Sequence, residues 1–301
     1  MENNIVLQTN QLQKEFGGMT AVNDVSLKVR RGDVFGFLGP NGAGKTTTIA
    51  MILGLLRPTQ GEVRVFGETV TPTHHPILRQ VGALVGASPA LVPHLSAREN
   101  LQLMARLYPD LPKNRVDEVL EFVGLAEVAR RPPRKFSTGM KQRLGMALAI
   151  LHQPQLLILD EPTNGMDPGG MQEIRRLIQR LAQEGVTIFL SSHLLYEVEQ
   201  VCNAIAILNQ GKLMTQGTLA ELQGEEKKLI IRAKNIPEIL PLLKDCPQLS
   251  QVEQNAEEIM VWGAETEQVL HHLAQHSCYP SELFYARNNL ENFFLELTQD
   301  N

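Results

Sequence analysis

The run GPNGAGKTT, Gly39 to Thr47, constrains this chain more than any other stretch. It fits G-x-x-x-x-G-K-[ST] at every fixed position, the pattern of a phosphate-binding P-loop. Its flanks fit too. Val34, Phe35, Phe37 and Leu38 make a short apolar run suited to a buried strand, and Thr48 to Leu56 reads as a helix. A loop of this kind turns successive backbone N–H groups inward, where they cradle phosphate oxygens. The helix N-terminus adds partial positive charge. Gly39, Gly42 and Gly44 permit the tight turns this needs, with Pro40, Asn41 and Ala43 between them. Lys45 would bridge the β- and γ-phosphates of ATP. Thr46, followed by Thr47, would offer its hydroxyl to Mg²⁺. A glycine-rich turn before an ordinary helix is the plain alternative, and the order strand, loop, helix weighs against it.

A second element adds hydrolytic chemistry. Leu156 to Leu159 is continuously apolar, as expected of a parallel strand buried on both faces. Asp160 and Glu161 end it, at the sheet edge where nucleotides sit in open α/β folds. Asp160 would hold Mg²⁺, directly or through water, and Glu161 would polarise an attacking water. Two acidic residues opening a turn before Pro162 would be the simpler reading of an isolated pair. The P-loop makes that reading weak.

With these two motifs in place, residues 4 to 222 resemble the nucleotide-binding subunits of ABC transporters. Further motifs follow in the family's order. Phe16, in KEFGGMTAV, matches the aromatic that stacks on adenine. FSTGMKQR, Phe136 to Arg143, is similar to the signature motif, with Ser137, Thr138, Gly139 and Met140 in its core. NGMD, Asn164 to Asp167, resembles the D-loop, and Asp167 is its carboxylate. His193, ending TIFLSSH, matches the switch histidine. The resemblance implies that Lys45, Glu161 and His193 are the catalytic set. It also implies that the signature residues complete the site of an opposite subunit.

The signature also has a local reading. Leu144, Ala147, Leu148 and Leu151 recur at spacings of three and four, so Lys141 to His152 reads as a helix, with Ser137 and Gly139 just before it. A Ser there is an N-cap, and caps and anion sites use the same backbone donors. Thr138 replaces the family's first glycine and Met140 its usual Gln. The serine and the second glycine are retained. A larger departure lies upstream. The family carries a Gln between the sheet and the helical subdomain, yet no Gln lies between Val81 and Asn100. Gly86, Ala87 or Ser88 stands nearest that place.

Composition sets outer limits. The 301 residues suit two domains. A formal net charge of −5, with no long basic run, argues against nucleic acid as the main partner. No uncharged apolar stretch of about 18 residues occurs, so no span is expected. The start, MENNIVLQTN, lacks the regions of a signal peptide. Cys202, Cys246 and Cys278 are scattered and odd in number, and read as free thiols in a reducing compartment. His74–His75 and His271–His272 have no cysteine or carboxylate cluster and read as solvated surface.

The expected fold is α/β: a P-loop NTPase cassette over residues 1–223, with a parallel sheet core, an antiparallel β layer and a helical subdomain at about 88–152. Strands are expected at Ile5 to Gln8, Val25 to Val29, Val63 to Val65, Leu156, Val186 and Ala204, with Gly211 and Gly217 marking a final hairpin. Ser96 and Glu99 form a capping-box pattern that opens a helix through Leu107. Lys113 to Val123 is a second helix, with Gly124 as its cap. Leu91, Val92 and Pro93 make an apolar loop before the capped helix, which suggests a permease-docking surface; Leu107 is expected to pack inside the subdomain. Residues 224–301 read as β-α-β-β-α-β with a last helix from Leu290 to Thr298, a small α+β accessory domain of ferredoxin-like order.

The resemblance thus implies a cytoplasmic ATPase subunit that uses ATP and Mg²⁺. It would act as a homo- or heterodimer, peripheral on the inner face of the membrane through a separate transmembrane permease. Drug and antibiotic exporters (ABC-2 type) are the nearest in style. A binding-only regulatory cassette is the alternative motivated by the missing Gln. A non-transport ABC ATPase is the other, although neither a second cassette nor a long coiled-coil insertion is present.

Overall fold

The computed structural model describes residues 4–72, 76–86, 89–223, 228–233, 235–255 and 258–285. It divides into two units, Met1–Leu219 and Ala220–Asn301. The first opens with β1 (Ile5–Phe16), β2 (Met19–Val25), β3 (Lys28–Arg30) and β4 (Val34–Leu38). After the phosphate loop come α1 (Lys45–Ile52), β5 (Gln60–Val65), β6 (Glu68–Val70) and β7 (Val81–Leu84). Three helices follow: α2 (Ala97–Ala105), α3 (Arg115–Phe122) and α4 (Thr138–Ile150). The unit then continues through β8 (Leu156–Asp160), α5 (Pro168–Gln183), β9 (Thr187–Ser192), α6 (Leu195–Val201), β10 (Ala204–Asn209) and β11 (Lys212–Thr218).

Two sheets result. β1, β2, β3, β5 and β6 pair antiparallel. The other sheet has the order β11-β10-β4-β9-β8-β7 and is parallel except at β11. Every residue of β4, β8, β9 and β10 is buried, which is why these strands read as unbroken apolar runs rather than alternating ones. Phe35 and Phe189 stack at 5.6 Å between adjacent strands and help to set that register.

Several elements differ from expectation. β1 runs on to Phe16, because register shifts against β2 and β5 break the alternation that would mark its second half. α1 starts at Lys45 rather than Thr48 and stops at Ile52, since Gly44 caps it directly. α4 starts at Thr138, so Gly139 and Met140 lie in its first turn and not before it. Gly211 is the hairpin turn residue, at φ +78°, whereas Gly217 lies within β11 opposite Ile205.

The helices between β7 and β8 hold two further corrections. Leu107 follows the end of α2 and is 67% exposed, not packed inside. Leu91 and Val92 are half-buried while Pro93 is exposed. The cause is Asn100, itself buried on α2. Its amide oxygen accepts the Val92 N–H at 2.8 Å, and its NH₂ donates to Ser96 O at 2.9 Å, which folds the loop back onto the helix. The Ser96–Glu99 capping box is present.

The second unit is described by itself. After α7 (Leu219–Gln223) come β12 (Leu229–Arg232), α8 (Ile236–Lys244), β13 (Gln251–Gln254), β14 (Ile259–Trp262), α9 (Thr266–Gln275) and β15 (Glu282–Tyr285). The sheet order is β13-β14-β12-β15, all antiparallel. Leu229, Ile231, Ile259 and Val261 pack with Ile239, Leu243, Val269 and Leu273 in one core. His272 is half-buried rather than solvated: a ring nitrogen lies 2.9 Å from Leu242 O and the ring packs against His276. Cys202, Cys246 and Cys278 are free thiols, and burial pushes the Cys202 thiol far above its ordinary range, which leaves it inert. The expected helix at Leu290 to Thr298 and the pair His74–His75 lie outside the described residues.

Candidate functional site

The C-terminal ends of β4, β8 and β9 meet at one sheet edge, because β4 pairs with β9 and β9 with β8 in parallel register. The phosphate loop leaves β4 at this edge. Gly44 closes it at φ +101°, and a Cβ there would lie 2.5 Å from Ala21 O. A Cβ on Gly39 would lie 2.3 Å from Leu208 O. Both positions therefore exclude a side chain, one by angle and approach, the other by approach alone.

Lys45 is 6% exposed. Its ammonium faces three acceptors: Gly39 O at 2.7 Å, Pro40 O at 3.1 Å and the Glu161 carboxylate at 3.1 Å. Two of its protons go to the loop carbonyls and the carboxylate faces it as an ion pair, so its own chain neutralises this cation. Thr46 donates its hydroxyl to Asp160 Oδ2 at 3.0 Å. These two oxygens are adjacent hard donors lining the cleft, the donor chemistry that suits Mg²⁺. Asp160 is 2% exposed, and its Oδ1 receives the Ser191 hydroxyl at 2.6 Å.

Glu161 sits at φ +50°, a left-handed angle that costs a non-glycine residue about 1–2 kcal/mol. Its N–H is held by Ser191 Oγ at 3.0 Å. Its side chain is gripped from both sides, by Lys45 on Oε1 and by His193 Nδ1 on Oε2 at 2.7 Å. The turn that breaks β8 thus throws this carboxylate into the cleft. Non-glycine strain of this kind is typical of positions where function fixes the backbone.

The cleft has a volume of about 360 Å³. Asn41, Gly42, Gly44, Lys45, Thr46 and Thr47 form one wall, and Asp160, Glu161, Asn164, Ala21 and Gly86 the rest. Gly39, Pro40 and Ala43 build the body of the loop rather than its wall. Gly86 brings backbone only to the place where the family carries Gln; Ala87 and Ser88 lie outside the described residues. Asn164, Ala21 and Ser191 belong to this site although the motifs pointed to none of them singly. Sequence carries one signal for Ser191, its place two residues before His193.

Other expected site residues stand apart from this cleft. Phe16 ends β1, 45% exposed, with the Lys14 ammonium 5.1 Å from its ring centroid. Ser137 caps α4 by accepting the Met140 N–H at 3.2 Å; Ser137 and Thr138 are exposed, and Gly139 and Met140 half-buried. Asp167 caps α5 through Gly170 N–H. None of Ser137, Thr138, Gly139, Met140 or Asp167 lines the cleft of its own chain.

Comparison with known proteins fits this geometry. The family described as ABC transporter matches residues 22–164. The bacitracin transport ATP-binding protein BcrA of Bacillus licheniformis is 47% identical over 226 residues, 75% of this chain and 74% of that protein. An uncharacterized ABC transporter ATP-binding protein of Bacillus subtilis (strain 168), YhcH, is 39% identical over 295 residues, 97% of this chain and 96% of its own. Among solved structures, the ADP conformation of an ATP-binding cassette superposes with a TM-score of 0.65 at 25% identity, covering 72% of this chain and 92% of that one. The cradle for phosphate, the paired carboxylates and these relatives converge: the chain belongs to the ABC transporter family as an ATP-binding subunit, the nucleotide-hydrolysing cassette that powers a separate permease.

Proposed function

We propose that this subunit hydrolyses Mg²⁺–ATP in a two-subunit sandwich and thereby drives export of a drug-like or peptide antibiotic. One observation carries the hydrolytic reading: Lys45, Asp160 and Glu161 line one cleft, and His193 from the end of β9 holds the Glu161 carboxylate there. In this reading the loop N–H groups and Lys45 hold the phosphates. Thr46 and Asp160 would hold Mg²⁺, which would supply charge neutralisation on the phosphoryl oxygens. Glu161 accepts a proton from water and His193 fixes its carboxylate. Phe16 offers a ring face to adenine. The intact Glu161–His193 pair favours hydrolysis over the binding-only alternative that the missing Gln raises. The cargo class rests on the relatives' names. The second unit, with its ferredoxin-like strand order, is an accessory domain at about residues 224–301.

The dimer reading rests on the exposed cap of α4. Ser137 and the first-turn N–H groups of that helix would form an anion site that its own cleft does not use. Ser137→Arg is expected to leave ATP binding by the monomer intact and to cut hydrolysis by about 10²-fold or more, the scale of losing preorganised donors on a phosphoryl group. Mixing it with Lys45→Ala subunits should restore up to one composite site per heterodimer. Equilibrium binding of a fluorescent ATP analogue and turnover of the mixture check this. Loss of monomer binding would place the motif in its own site.

The permease surface is proposed on the helical subdomain, where Leu103 (46%), Leu107 (67%) and Pro93 stand exposed. The described residues contain no helix long and apolar enough to cross a membrane, so anchoring on the inner membrane face falls to the partner. Leu107→Asp should keep the fold and basal ATPase but reduce copurification of the permease. A charge desolvated at an interface costs at least about 1–3 kcal/mol, roughly tenfold or more in affinity. Unchanged assembly would move the docking surface elsewhere.

A further inference from the structure

Ser191 faces Asp160 directly in the parallel pairing of β9 with β8. It is 0% exposed. Its hydroxyl donates to Asp160 Oδ1 at 2.6 Å and accepts from the Glu161 N–H at 3.0 Å. One side chain therefore spends its proton on the first carboxylate and a lone pair on the peptide that carries the second. The remaining Asp160 oxygen meets the Thr46 hydroxyl. Ser192, the next residue, does something different: its hydroxyl accepts the Leu194 N–H at 3.0 Å, within its own loop.

We propose that Ser191 is a positioning residue for the ATPase reaction. Its hydroxyl aims Asp160 at Thr46 and pins Glu161 in the left-handed turn that presents its carboxylate to His193 and Lys45. The motifs that mark this site include Asp160, Glu161 and His193 but leave Ser191 without a role. The geometry supplies that role because no other described side chain hydrogen-bonds both Asp160 and the Glu161 peptide. Removing the hydroxyl leaves Asp160 Oδ1 buried with no donor. The carboxylate must then turn, and the Glu161 N–H keeps only the longer contact to Ser191 O at 3.3 Å.

This proposal rests on the ATPase reading above, and its test separates the two. The affinity of a fluorescent ATP analogue is measured in EDTA and in Mg²⁺, with kcat, KM and the melting temperature, for the unaltered chain, Ser191→Ala, Ser191→Thr and Ser191→Cys. For Ser191→Ala, affinity in EDTA should stay near that of the unaltered chain. The gain in affinity on adding Mg²⁺ should shrink about 10-fold, and kcat should fall roughly 10- to 100-fold, the range for an outer partner of a metal-binding residue. Ser191→Thr keeps the hydroxyl and should recover most of both. Should its extra methyl lower the melting temperature, Ser191→Cys, a weaker donor, should fall between Ser and Ala. A Ser191→Ala protein with an unaltered Mg²⁺ gain and unaltered kcat would overturn the proposal. So would an equal loss of affinity in EDTA and in Mg²⁺ that tracks a lower melting temperature, which would make Ser191 a packing residue. Failure of the unaltered chain to bind ATP in either condition would overturn the ATPase reading and this proposal with it.

Discussion

Lys45→Ala should reduce ATP affinity and turnover by at least about 10²–10³-fold, the loss that follows removal of one preorganised charge or donor from a reacting oxyanion. The site makes this estimate a floor. Lys45 is buried, so its field on the phosphates is weakly screened, and it is the only side-chain cation lining the described cleft. A second consequence follows from the contacts of Lys45 with its own chain. Truncation strands the Glu161 carboxylate beside two carbonyl oxygens, Gly39 O and Pro40 O, that had shared the same cation. Breaking a buried pair from one side costs up to about 3–5 kcal/mol, less here because Glu161 is 15% exposed. The variant should therefore melt earlier than the parent in the absence of nucleotide. Titration with a fluorescent ATP analogue and a thermal melt check both effects. Affinity and turnover close to those of the parent would refute the phosphate-binding assignment.

The second large effect belongs to Glu161→Gln. Hydrolysis should slow roughly 10²- to 10⁴-fold, the range for losing a positioned proton acceptor. Binding should persist and even tighten. The Glu161 carboxylate lies 3.1 Å from the Lys45 ammonium, and a neutral amide would compete far less for a cation that phosphates must win. The amide still reaches His193, so the left-handed turn need not rearrange. Because bound ATP then survives, the variant should accumulate as a closed dimer with ATP and Mg²⁺. Size-exclusion chromatography under those conditions reads this out. A monomer with unchanged turnover would instead favour a regulatory cassette.

The contrast between these two residues shows what kind of information a sequence carries. Lys45 was legible as a candidate phosphate ligand because the P-loop motif is contiguous. Nine adjacent residues specify their own backbone path, and Gly44 at φ +101° is a local requirement visible as a glycine. Glu161 was legible as a carboxylate at a strand end. Its pairing with Lys45 was not, since a separation of 116 positions gives no hint that the cation is already neutralised. The capping box at Ser96 and Glu99 was legible for the same local reason as the P-loop. Leu107 was misjudged because amphipathic spacing says which residues are apolar, while exposure depends on what packs against them. Leu91 and Val92 were misjudged in the other sense, through the hydrogen bonds of Asn100.

Local chemistry thus determined the phosphate loop, the fully buried strands β4 and β8, the helix caps and the order of motifs. Each rests on residues within a few positions of one another, where backbone angles and side-chain periodicity are set directly by residue type. Tertiary structure alone decided the rest. Parallel registry places Asp160 opposite Ser191, and β9 brings His193 to Glu161 from 32 residues away. It also left the α4 cap facing outward, away from its own cleft. Parallel pairing is chosen by burial of whole strands on both faces, a free energy summed over the sheet. No short stretch of the chain encodes it, because the partners that fix it lie far apart in sequence.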